Sequence, residues 1–211
     1  LVPCYNSLPA VMRCLSSLVM TCDLSRTEIL ANDDCSPQYN LLEQPLPHPI
    51  KPARNEKNLG LAGNINEAAK RAQGDYLLLL NQDTRAVPLA SDAEIVKQLL
   101  RPGWLDAMLA VFEQYPDAGI VGPRLLFPTG HVQSVGGEFL ADKAPDHIAL
   151  GWSNPLDNRI NYTRKVSWIT GAAMMIRRAD FLALGGWRGH IFIGGYYEDC
   201  DLAMRVRFEL G

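Results

Sequence analysis

The chain has 211 residues, 47% of them apolar and 20% charged; this composition is ordinary for a globular protein and excludes disorder over most of the length. Twenty basic and 23 acidic side chains leave a net charge of −3, which excludes the basic footprint of a duplex nucleic-acid binder, so no nucleic-acid partner is expected. No block of like charges offers a membrane patch, and runs such as Tyr76–Leu80 and Ala172–Ile176 fall far short of the about 20 apolar residues that cross a bilayer.

Leu1–Cys4 reads as the end of a strand. Asn6-Ser7 then offers a helix cap, Pro9 suits a first turn, and Val11, Leu15, Leu18 and Val19 follow at helical spacing. Glu28–Asn32 reads as a second strand ending in Asp33-Asp34-Cys35-Ser36. Pro45, Pro47, Pro49 and Pro52 mark an extended connection. Asn58–Asn64 reads as a Gly/Asn loop before a helix with Ile65, Ala68, Ala69 and Ala72. Tyr76–Leu80 reads as a strand covered on both faces, ending abruptly in Asn81-Gln82-Asp83-Thr84.

This β-α-β-α-β order predicts a mostly parallel α/β sheet, whose ligands sit outside the carboxyl ends of the strands. All three strands run into polar clusters at that edge: Tyr5-Asn6, Asp33-Asp34 and Asn81–Asp83. The second half differs. Leu89–Arg101 reads as an added helix, Trp104–Phe112 as an amphipathic helix and Gly119–Gly122 as a short strand. The stretch 128–165 reads as mixed, rich in Gly, Asn and Pro and including irregular loops, and Val166–Ile176 as a buried strand broken by Gly171. Arg178–Leu184 reads as a short helix stopped by Gly185-Gly186, and Glu198–Leu210 as a helix with Leu202, Met204, Val206 and Leu210 toward the core.

Five cysteines without C-x-x-C spacing fit a reducing compartment better than a disulfide framework or zinc ribbon. His48, His131, His147 and His190 lack metal-ligand spacing and read as surface or loop residues. Trp152, Trp168 and Trp187 suit sugar stacking or a core. Neither G-x-S-x-G, a P-loop nor H-E-x-x-H occurs. Asp83 leaves a buried strand at the ligand edge, where a carboxylate either caps a turn or binds a divalent cation that also holds phosphate oxygens. Asp33 and Asp34 either form a turn or accept hydrogen bonds from a base or ribose. Gly60 and Gly63 permit close backbone approach but form no G-x-G-x-x-G. Glu198, Asp199 and Asp201 follow Gly194-Gly195, and such acids either favour a helix N-terminus or supply a general base. Arg205 and Arg207 read as surface partners of these acids.

Five ordered pieces together resemble family 2 glycosyltransferases of the GT-A fold, especially their rhamnosyltransferase-like branch. They are Val2–Asn6, Asp33–Ser36, Asn58–Asn64, Leu77–Asp83, and Gly185-Gly186-Trp187 followed by Tyr197–Leu202. The resemblance covers nearly the whole chain. It implies one GT-A domain, cut at both ends, with a Rossmann-like central sheet flanked by helices and a smaller acceptor-side region. Residues 1–86 would form the nucleotide-binding half and 87–211 the acceptor and catalytic half.

By that resemblance, Pro3 and Tyr5 line the nucleobase pocket through their backbone, and Asp34 hydrogen-bonds the base with Asp33 in support. Asn58, Gly60 and Asn64 sit beside the nucleotide or donor. Asn81, Gln82 and Asp83 form a D-x-D-like motif, here N-x-D, with Asp83 binding the metal, Mg²⁺ or Mn²⁺, the diphosphate or the ribose. Gly171 and Ala172 lie near the donor sugar. Asp199, in a Glu-Asp pair with Glu198, is the catalytic base. The implied reaction is inverting transfer from a UDP- or dTDP-linked sugar to a glycan or lipid-linked acceptor in cell-surface polysaccharide synthesis. It would take place in the cytoplasm at the inner membrane face, with peripheral membrane association through segments outside this stretch. Rival readings are a non-catalytic relative that binds nucleotide sugar or carbohydrate, and a nucleotide-cofactor oxidoreductase. The latter is disfavoured because the first strand-helix turn, Cys4–Pro9, contains no glycine.

Overall fold

The structure is a computed structural model that describes residues 1–100, 102–142, 144–192 and 196–210. The elements run β1 (Val2–Cys4), α1 (Leu8–Thr21), β2 (Leu30–Asp33), a 3-10 turn (Leu41–Glu43), β3 (Lys51–Arg54), α2 (Gly60–Arg71) and β4 (Tyr76–Leu80). There follow α3 (Glu94–Leu99), α4 (Trp104–Gln114), β5 (Ile120–Val121), β6 (Leu125–Leu126), β7 (Val132–Ser134), β8 (Gly137–Phe139) and β9 (Pro145–His147). The last are β10 (Ala173–Arg177), α5 (Arg178–Ala183) and α6 (Glu198–Glu209).

Strands β1, β2 and β3 pair in parallel, with Val2 opposite Ala31 and Leu30 opposite Lys51. Strand β10 lies antiparallel between β4 and β5, with Ala173 opposite Leu80 and Met175 opposite Val121. The two arrays join where the Leu1 nitrogen donates to the Leu78 carbonyl at 2.7 Å and Leu80 N–H donates to the Leu1 carbonyl at 3.0 Å. That alternation is the parallel ladder pattern. The sheet order is therefore β3-β2-β1-β4-β10-β5, mostly parallel with β10 reversed.

Side-chain alternation builds the two layers around it. Leu77, Leu79, Met174 and Ile176 pack with Ile65 and Ala69 of α2, Phe181 of α5 and Leu202 of α6. The opposite face gives Leu80 and Ala173 to Val11, Leu15 and Leu18 of α1. Met175 on that face packs against Met108 and Phe112 of α4. Helices thus cover both faces, and loops at the carboxyl edge are left to build a site.

Several expectations change. The proline-rich connection contains β3, and Pro52 is tolerated because β3 is the edge strand. Gly60–Asn64 is the first turn of α2 rather than a loop. The segment 128–165 contains β7, which pairs back with β6, and the β8–β9 hairpin, and His147 lies in β9 against the Trp168 ring. The strand expected over Val166–Ile176 starts only at Ala173, because Ala173 N–H closes a turn on the Thr170 carbonyl. The helix expected at Leu89–Arg101 covers only Glu94–Leu99, and Arg101 lies outside the described residues. Ser7 precedes α1 in a left-handed conformation and makes no side-chain cap. Met204 and Leu210 are exposed, whereas Leu202 is fully buried.

Candidate active site

A cleft of about 460 Å³ opens at the carboxyl edge of the parallel strands. Pro3, Tyr5, Asp34, Asn58, Gly60, Asn64, Asn81, Gln82 and Asp83 all line it. The sheet explains this gathering, since β1, β2 and β4 are parallel and end side by side. Gln82 ties two of these ends together: Tyr5 N–H donates to its Oε1 at 2.8 Å, and its Nε2 donates to the Tyr5 carbonyl at 2.9 Å. A second cavity of about 390 Å³ lies where β2 and β4 begin, beside Glu28, Asp75 and Asp106, and contains none of these residues.

Asp33 and Asp34 are adjacent but do different things. Asp33 is fully buried and organises the loop beneath the cleft. Its oxygens accept from Ser36 N–H at 2.9 Å and Leu41 N–H at 3.2 Å, and from the Arg54 guanidinium. Asp34 reaches the cleft, and its Oδ1 accepts from Leu59 N–H at 2.9 Å and Asn55 Nδ2 at 2.8 Å. Asn58 Oδ1 accepts from Gly60 N–H at 3.0 Å, and Gly60 takes φ +73°, which favours glycine there. Asn64 lines the cleft, but its amide is engaged with Asn32 and Asn55 below.

The expected acids of α6, Glu198 and Asp199, and the expected donor-sugar residues Gly171 and Ala172 do not line this cleft; Asp199, Gly171 and Ala172 connect to it through hydrogen bonds. Asp199 Oδ2 accepts the Gly171 N–H at 2.9 Å, and its Oδ1 accepts the Cys200 N–H at 2.8 Å. The next carbonyl, that of Ala172, accepts Asn81 N–H at 3.0 Å and the Thr84 hydroxyl at 3.3 Å. Because β10 runs antiparallel, its start meets the end of β4. A continuous path therefore leads from Asp199 through Gly171 and Ala172 to the Asn81–Asp83 turn. That turn is closed by Thr84 N–H on the Asn81 carbonyl, and Asp83 is exposed at the cleft.

Glu198 differs from Asp199. It is 4% exposed, and its Oε2 is buried without a hydrogen-bond partner among the described residues. Burial, then the Asp199 charge, pushes its carboxyl up. The preceding Tyr197 takes φ +68°, and Gly194-Gly195 lie outside the described residues. Trp168 and Trp187 are core residues, at 5% and 2% exposure. Trp152 is exposed, with the Arg159 guanidinium 4.4 Å over its ring.

Sequence reasoning missed three supports of the site. Asn66 grips the Trp187 backbone from both sides, at 3.0 and 2.8 Å. Arg205 is buried, not a surface partner: it donates to Asp201 at 2.7 Å and to the Leu184 and Gly186 carbonyls at 2.8 Å. Asn55 holds Asp34. Asn64 and Asn66, on either side of Ile65 and close to Ala62, Ala68 and Ala69 in α2, were the available signal, since a buried amide needs partners.

The profile described as Glycosyl transferase family 2 matches residues 1–93, the segment that carries β1 to β4 and most of the cleft. These residues belong to glycosyl transferase family 2. The O-antigen biosynthesis protein RfbC of Myxococcus xanthus is 30% identical over 148 residues, 68% of this chain and 10% of that protein. The N-acetylglucosaminyl-diphospho-decaprenol L-rhamnosyltransferase of Mycobacterium tuberculosis is 24% identical, over 96% of this chain and 67% of the relative. The chain thus spans a tenth of the first relative and about two thirds of the second. The crystal structure of GalNAc-T7 with UDP, GalNAc and Mn²⁺ superposes with a TM-score of 0.69 at 17% identity, over 97% of this chain and 39% of its own. The GT-A fold therefore extends through the second half.

The family 2 cleft offers few ligands for a cation. Among the described residues no three His, Cys, Asp or Glu side chains converge as a protein-only metal site. Asp83, exposed beside the Asn81 and Gln82 amides, is a donor set of one carboxylate and neutral oxygens. That set fits Mg²⁺ or Mn²⁺ held jointly with substrate phosphates and does not fit a structural metal.

Proposed function

We propose that the chain is the donor-binding and catalytic part of an inverting glycosyltransferase. Its donor is a UDP- or dTDP-linked sugar, and its acceptor is a hydroxyl of a glycan or lipid-linked glycan in cell-surface polysaccharide synthesis. The observation that carries this reading is the path from Asp199 through Gly171 and Ala172 to the Asn81–Asp83 turn. It joins a candidate base to a candidate diphosphate site through backbone alone. Residues 1–86 hold the nucleotide, and 87–211 supply the base and the acceptor side.

In this reading Asp34 accepts a hydrogen bond from the nucleobase, beside the backbone of Pro3 and Tyr5. Asp83 holds a divalent cation, Mg²⁺ or Mn²⁺, which when bound supplies neutralisation of charge on the leaving diphosphate. Asp199 takes the proton of the acceptor hydroxyl. The hydroxyl oxygen bonds to the anomeric carbon as the bond to the diphosphate oxygen breaks on the opposite face. Configuration inverts, and no side-chain nucleophile is required. The relatives named for O-antigen biosynthesis and for a rhamnosyl transfer to a decaprenol-linked acceptor support this acceptor class. The reaction would lie at the cytoplasmic face of a membrane. No helix among the described residues is long and apolar enough to cross one.

Calorimetric titration with UDP, dTDP and GDP, each with and without Mn²⁺, tests the donor assignment. UDP or dTDP should bind, more tightly with the metal. Absence of binding by all three would overturn the reading. Nucleotide binding with no transfer to any lipid-linked glycan would instead favour a non-catalytic relative.

A further inference from the structure

A one-way chain of side-chain hydrogen bonds runs beneath the cleft. Arg71, in the last turn of α2, donates to Asn32 Oδ1 at 2.6 Å. Asn32 Nδ2 donates to Asn55 Oδ1 at 3.0 Å. Asn55 Nδ2 donates in turn to Asp34 Oδ1 at 2.8 Å. A guanidinium only donates and an ionised carboxylate only accepts. The two ends therefore dictate which way each amide between them faces.

Asn64 reinforces that direction. Its Oδ1 accepts from both Asn32 Nδ2 and Asn55 Nδ2, and its Nδ2 donates to the Asn32 carbonyl at 2.9 Å. Asn32 and Asn64 are each 1% exposed, so a reversed amide would leave buried donors facing each other. The result appears at Asp34. Its Oδ1 receives two donors, Asn55 Nδ2 and Leu59 N–H. Among the described residues no protein donor reaches its Oδ2, and Asp34 lines the cleft.

We propose that Asn55 is a positioning residue that turns Asp34 Oδ2 toward an N–H of the bound base, and that Arg71 fixes the sense of the relay through Asn32. The base class is one with an imide N–H, as in uracil and thymine. The inference rests on the nucleotide-donor reading above.

The test compares UDP with N3-methyl-UDP, in which the imide hydrogen is replaced by methyl. Both are titrated into the wild-type chain, Asn55→Ala and Arg71→Met. The wild-type chain should prefer UDP by at least about tenfold, the scale of a hydrogen bond to a charged group. Asn55→Ala should lose about tenfold in UDP affinity with little change for the methylated ligand, so the preference collapses. Arg71→Met, at an exposed position on α2, keeps the fold and should lower the preference about threefold. Equal losses for both ligands in Asn55→Ala would reduce Asn55 to a structural role. A preference unchanged in either variant overturns that residue's part. A wild-type chain that binds UDP and its methyl analogue equally refutes Asp34 as the imide acceptor but leaves nucleotide binding intact. Binding of neither UDP, dTDP nor GDP removes the donor reading itself.

Discussion

Gly171 sits between two side chains of the acidic centre: its N–H donates to Asp199 Oδ2 at 2.9 Å, and a Cβ on it would stand 2.9 Å from the Trp187 ring. The glycine lets Trp187 pack against the backbone while that backbone orients the carboxylate. Gly171→Ala should therefore act twice. Overpacking of this kind costs about 2 kcal/mol, read as a lower urea midpoint. Transfer should fall further than nucleotide binding, because Asp199 moves with the displaced amide. A variant with wild-type stability and turnover would show that the contact is not needed.

Asp199→Asn removes the proton acceptor while keeping the size of the side chain. Transfer should drop at least about 100-fold, the lower end of general-base contributions. Affinity for the nucleoside diphosphate should stay within about twofold of wild type. Product assays beside calorimetry separate the two effects. Full turnover by this variant would falsify the assignment.

Asp83→Ala addresses the other end of the path. The Mn²⁺-dependent part of nucleotide affinity should disappear, leaving a metal-independent remainder from the base pocket. Titrations with and without Mn²⁺ should then coincide. A metal effect equal to that of the wild-type chain would place the cation elsewhere.

The strand ends were legible in the sequence because each signal is local. Tyr76–Leu80 is a continuous apolar run, and Asp34 and Asn81 follow their strands directly. A parallel order then suffices to bring Tyr5, Asp34 and Asp83 to one edge. What was not legible depends on pairing between distant segments. Strand β3 is hidden among prolines because an edge strand tolerates a missing N–H. The reversal of β10, which carries Gly171 to Asn81, comes from sheet pairing and leaves no periodic mark. The Asn32, Asn55 and Asn64 amides look like loop polarity until their burial is known. Arg205 has the i+4 spacing of a surface ion pair with Asp201, and only its carbonyl partners reveal the clamp.

That clamp carries its own prediction. Arg205 is 4% exposed and ties α6 to the turn ending in Gly186. Arg205→Leu leaves Asp201 and two carbonyls short of a donor. Removing one partner of a buried ion pair costs about 3 kcal/mol or more. Urea denaturation should show that loss. Arg207→Leu, lower on the same helix and exposed, should stay within about 0.5 kcal/mol of wild type. Equal effects from the two would place Arg205 at the surface.

Glu198 should make stability depend on pH in a sense opposite to an ordinary salt-bridged acid. Burial raises its carboxyl first, and the neighbouring Asp199 charge adds to the shift. In the unfolded chain it titrates near the ordinary 4.5. Between that value and its raised folded value the native chain holds a proton that the unfolded chain has released. Stability therefore falls as pH climbs through this window and levels off above it. Below the window both states are protonated and nothing is lost. Glu198→Gln cannot ionise, so it escapes the loss. Its stability relative to wild type should rise as pH climbs above the ordinary 4.5 and stay flat once the folded carboxyl has ionised. Taking the difference between the two proteins cancels the titrating groups that do not interact with Glu198. Urea midpoints measured across that range decide the matter, and a difference independent of pH would mean that Glu198 ionises as readily in the folded chain as in the unfolded one.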